Sequence, residues 1–229
     1  MKSKSGAVWT IGITGGVATG KTWVSKRFVE ILNSRGVPAH RIGLDELQRA
    51  LYAEDSERGQ DAREAVAWIF GDDMLTPDRR TIKVNALKAR YFSPATSMEE
   101  RQDLRRIVQP HIEAMYEEAT HGLSGIIVLE WAALIEDDML DWVDHHVIIV
   151  DSPNRDAFIA ERGIDWNMLR TLGQMQLSHA EKLARALQAI QGVGRGRMYE
   201  YVNTPGDDTP LYSLVDTVSQ DWRLDTSPR

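Results

Sequence analysis

Apolar residues are arranged along this chain in two ways. In three places they form short, nearly continuous runs: AVWTIGIT (7–14), SGIIVLE (124–130) and DHHVIIV (144–150). Runs of this length, rich in β-branched residues and bounded by Gly, Ser or Asp, predict strands covered on both faces, as in a parallel sheet lying under helices. Two weaker runs, AHRIGL (39–44) and MYEYVN (198–203), supply a second and a fifth strand. Elsewhere the apolar positions recur at helical spacing. Val24, Phe28, Val29, Ile31 and Leu32 share one side of a helix over 21–34, closed by Gly36 and Pro38. Ser178 with Glu181 makes a capping box for a helix over 178–191. Residues 45–120 read as helical throughout, too long for one crossover between strands. The stretch 60–120 is therefore expected to stand beside the sheet as an insert. GVGRGR (192–197) reads as a flexible basic insertion.

Composition narrows the class without changing this plan. At 229 residues, 42% hydrophobic and 27% charged, the chain has room for one large α/β domain with a small subdomain. A net charge of −7 argues against wrapping nucleic acid. The absence of cysteine excludes disulfides, thiolate zinc sites and thiol catalysis. No apolar run approaches the ~20 residues that span a bilayer, and the glycines at 15–16 arrive too soon for a signal peptide. A cytoplasmic protein with neither nucleic-acid nor membrane partners is expected.

The chemistry lies where the first run meets the first helix. Gly15, Gly16, Val17, Ala18, Thr19, Gly20, Lys21 and Thr22 match G-x-x-x-x-G-K-[ST] at every fixed position. Glycines let successive backbone N–H groups turn inward around a phosphate, and the following helix adds its positive end. Lys21 is of the length to reach the β- and γ-phosphates, and the Thr22 hydroxyl is a ligand for Mg²⁺. A plain glycine turn has no use for Lys-Thr at the helix start. The motif predicts ATP or GTP bound with Mg²⁺. No Asn-Lys-x-Asp guanine signature and no Leu-Ser-Gly-Gly-Gln run is present, which leaves a kinase of small molecules.

With that loop in hand, the rest of the chain resembles the dephospho-coenzyme A kinase family. IGITGGVATGKTWVSKRF is similar to the family's IGLTGGIGSGKS opening, and IGLDELQRALY to its IDADxLAR segment. FGDDML, ALKARYF and LRRIVQPHIEAM follow in the family's order. VLEWAALIE stands where the family has VLDIPLLFE, VDSP where a strand ends in Ser-Pro, and QMQLSHAEKLARA and VNTPG near the close. The resemblance implies a three-layer α/β P-loop NTPase fold with a five-stranded parallel sheet, a helical acceptor-binding insert and a lid. It places the nucleotide-binding core in 1–59, 121–152 and 192–229, the insert in 60–120 and the lid in 153–191. It implies ATP-dependent phosphorylation of the 3′-hydroxyl of dephospho-CoA. The alternatives are a kinase of the same build acting on a nucleoside or deoxynucleoside monophosphate, and an ATP-binding protein without catalysis. The departures fall in segments that face the acceptor in that family: Gly43 replaces the first Asp of Asp-Ala-Asp, Gln109-Pro110 replaces His-Pro, Glu130-Trp131-Ala132 replaces Asp-Ile-Pro, and RRTIKV occupies 79–84.

Candidate residues follow from the chemistry and from this resemblance. Asp45, at the end of the second strand, suits a base that takes the acceptor's proton; the rival reading is a helix N-cap completed by Gln48. Glu130 ends its strand like an acid that supports Mg²⁺, with Asp151 as rival. Glu136, in IEDD, reads as an exposed charge. Arg101, Arg105 and Arg106 precede Gln109 on one helix and suit an acceptor phosphate. Arg155, Arg162 and Arg170 lie in the implied lid, and Arg162 is the lid cation favoured as catalytic. Asn203, in VNTPG, is placed to frame the adenine or simply to make a turn. His145 and His146 alternate across a strand and read as structural. The seven tryptophans are scattered and suit packing.

Overall fold

The computed structural model describes residues 8–161, 169 and 176–222. The chain divides into two compact units, the second of which begins at Gly43 and runs to His121.

In the first unit β1 (Val8–Gly15), β2 (Ala39–Gly43), β3 (Gly125–Glu130), β4 (His146–Asp151) and β5 (Arg197–Val202) form a sheet in the order β2-β3-β1-β4-β5. The β1–β3, β1–β4 and β4–β5 pairs are parallel. Ile13 lies opposite Glu130, and Gly15 opposite Val150. The carboxyl ends of the three middle strands therefore meet at one edge, where open α/β sheets bind ligands. Alternation along the strands creates two faces. Ile11, Ile13, Val128 and Ile148 pack with Phe28 and Leu32 of α1 (Lys21–Ser34) and with Leu211 and Val215 of α8 (Thr209–Asp221). Gly12 points the other way, and a Cβ there would lie 2.5 Å from Leu134 and 3.3 Å from Val143. α7 (His179–Val193) packs on β4 and β5. The predicted three-layer arrangement and the predicted strands are all present.

Three expectations change. α7 opens with the predicted capping box, Ser178 accepting from the Glu181 N–H, but it continues into the segment expected to be a flexible insertion. Gly194, in the left-handed region, donates to the Ile190 carbonyl and caps it. Gly196 passes directly against the His145 backbone, and Arg197 pairs with Asp221. Residues 178–191, assigned to a lid, thus belong to the core layer.

The second change concerns residues 43–59, expected in the core. The second unit consists of α2 (Leu44–Ala53), α3 (Glu57–Phe70), α4 (Val84–Tyr91) and α5 (Met98–Thr120). α2 packs on α3 and α5 and buries Leu51 and Tyr52. Arg63 of α3, itself buried, donates to the carbonyls of Tyr52 and Glu54 at 3.1 and 2.9 Å, closing the C-terminus of α2. Burial pushes the Tyr52 phenol up to about 12. The third change is that this unit is not helical throughout: Leu75 and Ile82 form an antiparallel bridge around a turn closed by Thr76 N–H to Thr81 O at 2.9 Å.

At the amino end of the sheet, Trp9 stacks on Trp222 at 5.2 Å, and Trp222 Nε1 donates to His146 Nδ1 at 3.3 Å. Burial, aided by Arg197 and opposed by Asp144, holds His146 below the ordinary 6.5. The unfolded chain therefore binds this proton more readily than the folded one. The cluster is fully stable above about pH 6.5, and stability is lost as pH falls below that value. Thermal unfolding at about pH 7.5 and 5.5 is expected to show a smaller drop in Tm for His146→Gln, which keeps an acceptor for Trp222. An equal drop in both proteins would clear His146 of the effect.

Candidate active site

The loop between β1 and α1 is shaped by residues outside the ordinary backbone regions. Gly15 has φ +150°, and a Cβ there would stand 2.2 Å from the Val150 carbonyl oxygen. Gly20 has φ +86°, and a Cβ there would stand 2.1 Å from Asn203 Nδ2. Ala18 adopts φ 60°, a left-handed conformation that costs an alanine roughly 1–2 kcal/mol. Strain of this kind is retained where function over-determines the backbone. Thr19 Oγ1 donates to the Gly16 carbonyl at 3.0 Å, and the Lys21 ammonium folds over the loop to the same oxygen at 2.6 Å. α1 has neither a side-chain cap nor an acidic residue in its first turn, so its leading N–H groups face the loop without an internal anion.

Glu130 extends from β3 to the same place. Its Oε1 accepts from Thr22 Oγ1 at 2.5 Å. Its Oε2 accepts from Ser25 Oγ at 2.8 Å and from Arg41 Nε and Nη2 at 2.9 and 2.6 Å. Of the two acids weighed for this role, Glu130 touches Thr22, whereas Asp151 uses its carbonyl to receive the Asn203 N–H at 2.8 Å. A hydroxyl and a carboxylate beside a phosphate loop are hard oxygen donors of the kind Mg²⁺ takes, with phosphate oxygens completing the shell. The residues present fit that ion.

The segment after Glu130 is tied to the strand that carries the loop. Trp131 N–H donates to Ile13 O at 3.1 Å. The Ala132 carbonyl accepts from Thr14 Oγ1 at 2.9 Å and from Lys182 Nζ at 3.0 Å. Lys182 is 1% exposed and pairs with Glu136 at 2.5 Å. Glu136 also accepts from the Leu177 N–H at 3.0 Å. It is therefore a buried partner of α7 and not the exposed charge expected from IEDD. Burial pushes the Lys182 ammonium below the ordinary lysine range, and the Glu136 carboxylate pulls it partly back.

The remaining candidates fare differently. Asn203 is buried, and its Nδ2 donates to the Thr19 carbonyl at 3.0 Å, so its amide buttresses the phosphate loop. A cleft of about 880 Å³ opens beside Gly20 and Asn203, with Trp23, Arg27, Phe158 and Pro205 in its wall. Arg155 opens α6 (Arg155–Glu161); its guanidinium lies over Gly16, 3.6 Å from where a Cβ would be, and its Nε is buried with no hydrogen-bond partner among the described residues. Arg162 and Arg170 lie outside the described residues. Asp45 is exposed in the first turn of α2; Gly43 is the N-cap and no side chain caps the helix, so the capping reading of Asp45 fails. Gln48 instead donates to the Tyr52 hydroxyl at 3.2 Å. On α5, Arg101 is used structurally, donating to the Tyr91 and Ser93 carbonyls at 2.9 Å each. Arg105 and Arg106 are exposed, Arg106 pairing with Asp103 at 2.8 Å, and Gln109 donates to Glu113 at 3.1 Å.

Arg41, Ser25, Lys182 and the aromatic wall were missed from the sequence. Arg41 left one signal, a guanidinium within a strand of the sheet, which calls for an anionic partner where it is buried. Lys182 left none that separates it from the solvated lysines of an amphipathic helix.

A parallel sheet of this order, with a lysine-bearing glycine loop between its central strand and α1 and an acid on the neighbouring strand, defines a P-loop nucleotide-binding protein of the kinase type. A family model described as dephospho-CoA kinase matches residues 9–195. The dephospho-CoA kinase of Corynebacterium jeikeium is 29% identical over 192 residues, covering 81% of this chain and 91% of that protein. That of Methylococcus capsulatus is 31% identical over 184 residues, covering 79% and 85%. The crystal structure of TT1252 from Thermus thermophilus shares the fold, with a TM-score of 0.66 at 22% identity over 93% of this chain and 97% of that one. The chain belongs to the dephospho-CoA kinase family. It is a phosphotransferase acting on a small molecule, in a family for which ATP is a substrate. Among the described residues no helix is long and apolar enough to cross a membrane.

The Gly20–Asn203 contact yields a test. Gly20→Ala is expected to weaken ATP binding at least tenfold, because the methyl group meets Asn203 and the left-handed backbone resists it. Adding Asn203→Ala removes the clash, so the double variant should bind ATP better than Gly20→Ala alone. Titration with a fluorescent ATP analogue decides this, and equal affinities in the two variants would show that the contact does not shape the loop.

Proposed function

We propose that this protein transfers the γ-phosphoryl group of ATP to the 3′-hydroxyl of dephospho-CoA, giving ADP and CoA. The observation that carries the acceptor is the extent of the family match: it runs through 43–121, the entire helical unit, and does not stop at the phosphate loop. Cytoplasmic location accords with a reaction that consumes ATP.

The geometry supports the following roles. The loop's inward N–H groups and the start of α1 receive the β- and γ-phosphates, with Lys21 released from Gly16 O to the phosphate oxygens. Thr22 and Glu130 are the residues that would hold Mg²⁺, and the ion would supply positive charge against the phosphates. Arg155 supplies a second cation at the loop. Its buried Nε has no hydrogen-bond partner among the described residues, which suits charge developing on the transferring group. The cleft beside Gly20 receives the adenosine, whose base finds Trp23 and Phe158.

Asp45 acts as the base. The 3′-hydroxyl oxygen forms the new bond to phosphorus, the bond from phosphorus to the β–γ bridging oxygen breaks, and the hydroxyl proton passes to the Asp45 carboxylate. Its freedom from capping supports this role. Arg105, Arg106 and Gln109 bind the acceptor's phosphates; Arg106 is paired to Asp103 on the surface, an interaction worth little and readily exchanged.

A coupled assay of ADP release with a panel of acceptors tests the reading. Dephospho-CoA is expected to support turnover, with Lys21→Ala nearly inactive. Turnover with a nucleoside monophosphate and none with dephospho-CoA would transfer the reading to that acceptor, a result for which Gly43 and Gln109 give a structural motive. Asp45→Asn is expected to lower kcat by ~10²–10⁴ with ATP binding preserved, since loss of a general base acts on the chemical step. A kcat within a factor of three of the parent would remove Asp45 from the chemistry.

A further inference from the structure

The two oxygens of Glu130 are not equivalent. Oε2 is surrounded by Arg41 Nη2 at 2.6 Å, Arg41 Nε at 2.9 Å and Ser25 Oγ at 2.8 Å. Oε1 meets the Thr22 hydroxyl, the group the loop offers to a cation. The Arg41 and Glu130 side chains are 13% and 10% exposed, so their charges are little screened. Arg41 Nε also reaches Ser25 Oγ at 2.9 Å, and Ser25 sits one turn beyond Thr22 on α1. The guanidinium thus holds both the acid and the helix that carries Thr22.

Two consequences follow. The carboxylate has a fixed orientation, with one oxygen committed inward and the other turned to Thr22. Its charge is also balanced, since the Arg41–Glu130 pair has a net charge near zero. A divalent cation arriving alone at Thr22 would meet a hydroxyl and a neutralised acid, with a guanidinium close behind. The same cation arriving on a triphosphate brings its own anionic ligands.

We propose that Arg41 is a positioning residue that makes the divalent-cation site at Thr22 and Glu130 conditional on nucleotide, by occupying Oε2 and cancelling the charge of the acid. This rests on the kinase reading above and names the residue that sets how its cation site is filled. A like arrangement without Arg41 would leave a bare carboxylate able to collect free divalent ions ahead of ATP.

The experiment uses Mn²⁺ as the probe, with free ion measured by electron paramagnetic resonance on the full chain, without nucleotide and then with ATP. The parent should bind Mn²⁺ at least tenfold more tightly with ATP than without. Arg41→Met should raise nucleotide-free affinity at least tenfold, and the gain should vanish in Arg41→Met with Glu130→Gln. Arg41→Lys keeps a charge but loses the fork. It should leave nucleotide-free Mn²⁺ binding within about threefold of the parent, while kcat falls about tenfold and KM for ATP changes less than threefold. An unchanged Mn²⁺ affinity in Arg41→Met, a gain that survives Glu130→Gln, or full kcat in Arg41→Lys would each overturn the proposal. Should Arg41→Met not fold, by circular dichroism, the Arg41→Lys arm decides. The Mn²⁺ arms need no acceptor, so failure of the kinase reading would appear separately, as absence of turnover with every acceptor and of any effect of Lys21→Ala on ATP binding.

Discussion

The carboxylate of Glu130 is the interaction on which the active edge of this molecule depends. It stands at the end of β3, yet its hydrogen bonds reach α1 through Thr22 and Ser25, and β2 through Arg41. Three separate elements are thereby fixed against β1 at the level of the phosphate loop. Hydrophobic packing of Phe28, Leu32 and their neighbours holds α1 on the sheet, but the hydrophobic effect is non-directional and does not orient the Thr22 hydroxyl. A buried, multiply hydrogen-bonded acid is directional, because its charge is costly to separate from its partners away from water. The core supplies stability, and the polar network fixes where Thr22 points.

A second layer of the same design lies behind the first. The Ala132 carbonyl receives Thr14 and Lys182, and Asn203 receives no freedom of its own, since its amide is bound to Thr19 and its carbonyl to Ser152 Oγ at 2.8 Å. Through the Thr14 hydroxyl these contacts reach β1, and through the Thr19 carbonyl they reach the loop it feeds. The phosphate loop is thus braced from the side of β3 and from the side of β5, while its mouth is left to Lys21 and Arg155. A braced backbone with two cations at its mouth is a suitable division for a reaction in which charge migrates during the chemical step.

The sequence made the core legible because its signals are local. Continuous apolar runs marked β1, β3 and β4, and the spacing of Val24, Phe28 and Leu32 marked α1 with its observed bounds. The loop motif carried its own chemistry, and the order of weaker motifs carried the family. What escaped depended on partners distant in the chain. Glu136 looked like one acid among several in IEDD, and only the fold brings Lys182, 46 positions away, to meet it. Asn203 read as a residue framing the adenine or making a turn, and its contact with the phosphate loop escaped because that partner lies 184 positions earlier. The extent of the helical unit was misjudged at its start, since α2 has the same amphipathic pattern whether it lines a sheet or joins a helical cluster. The glycines at 194 and 196 were read as slack where they serve as a cap and a close approach.

The buried Lys182–Glu136 pair has a consequence for how this sequence can drift. Each charge is sheltered from water and tolerated because the other is present, so loss of either one alone strands its partner, a change that in such pairs costs roughly 3–5 kcal/mol. Replacement of both by apolar residues of similar volume carries no such penalty in principle. Here, however, the ammonium also holds the Ala132 carbonyl and the carboxylate also holds the Leu177 amide, so an apolar pair would leave the Leu177 N–H without this acceptor and the Ala132 carbonyl with Thr14 alone. The positions are expected to be locked together in the lineage of this chain, neither free to vary singly nor easily exchanged as a pair.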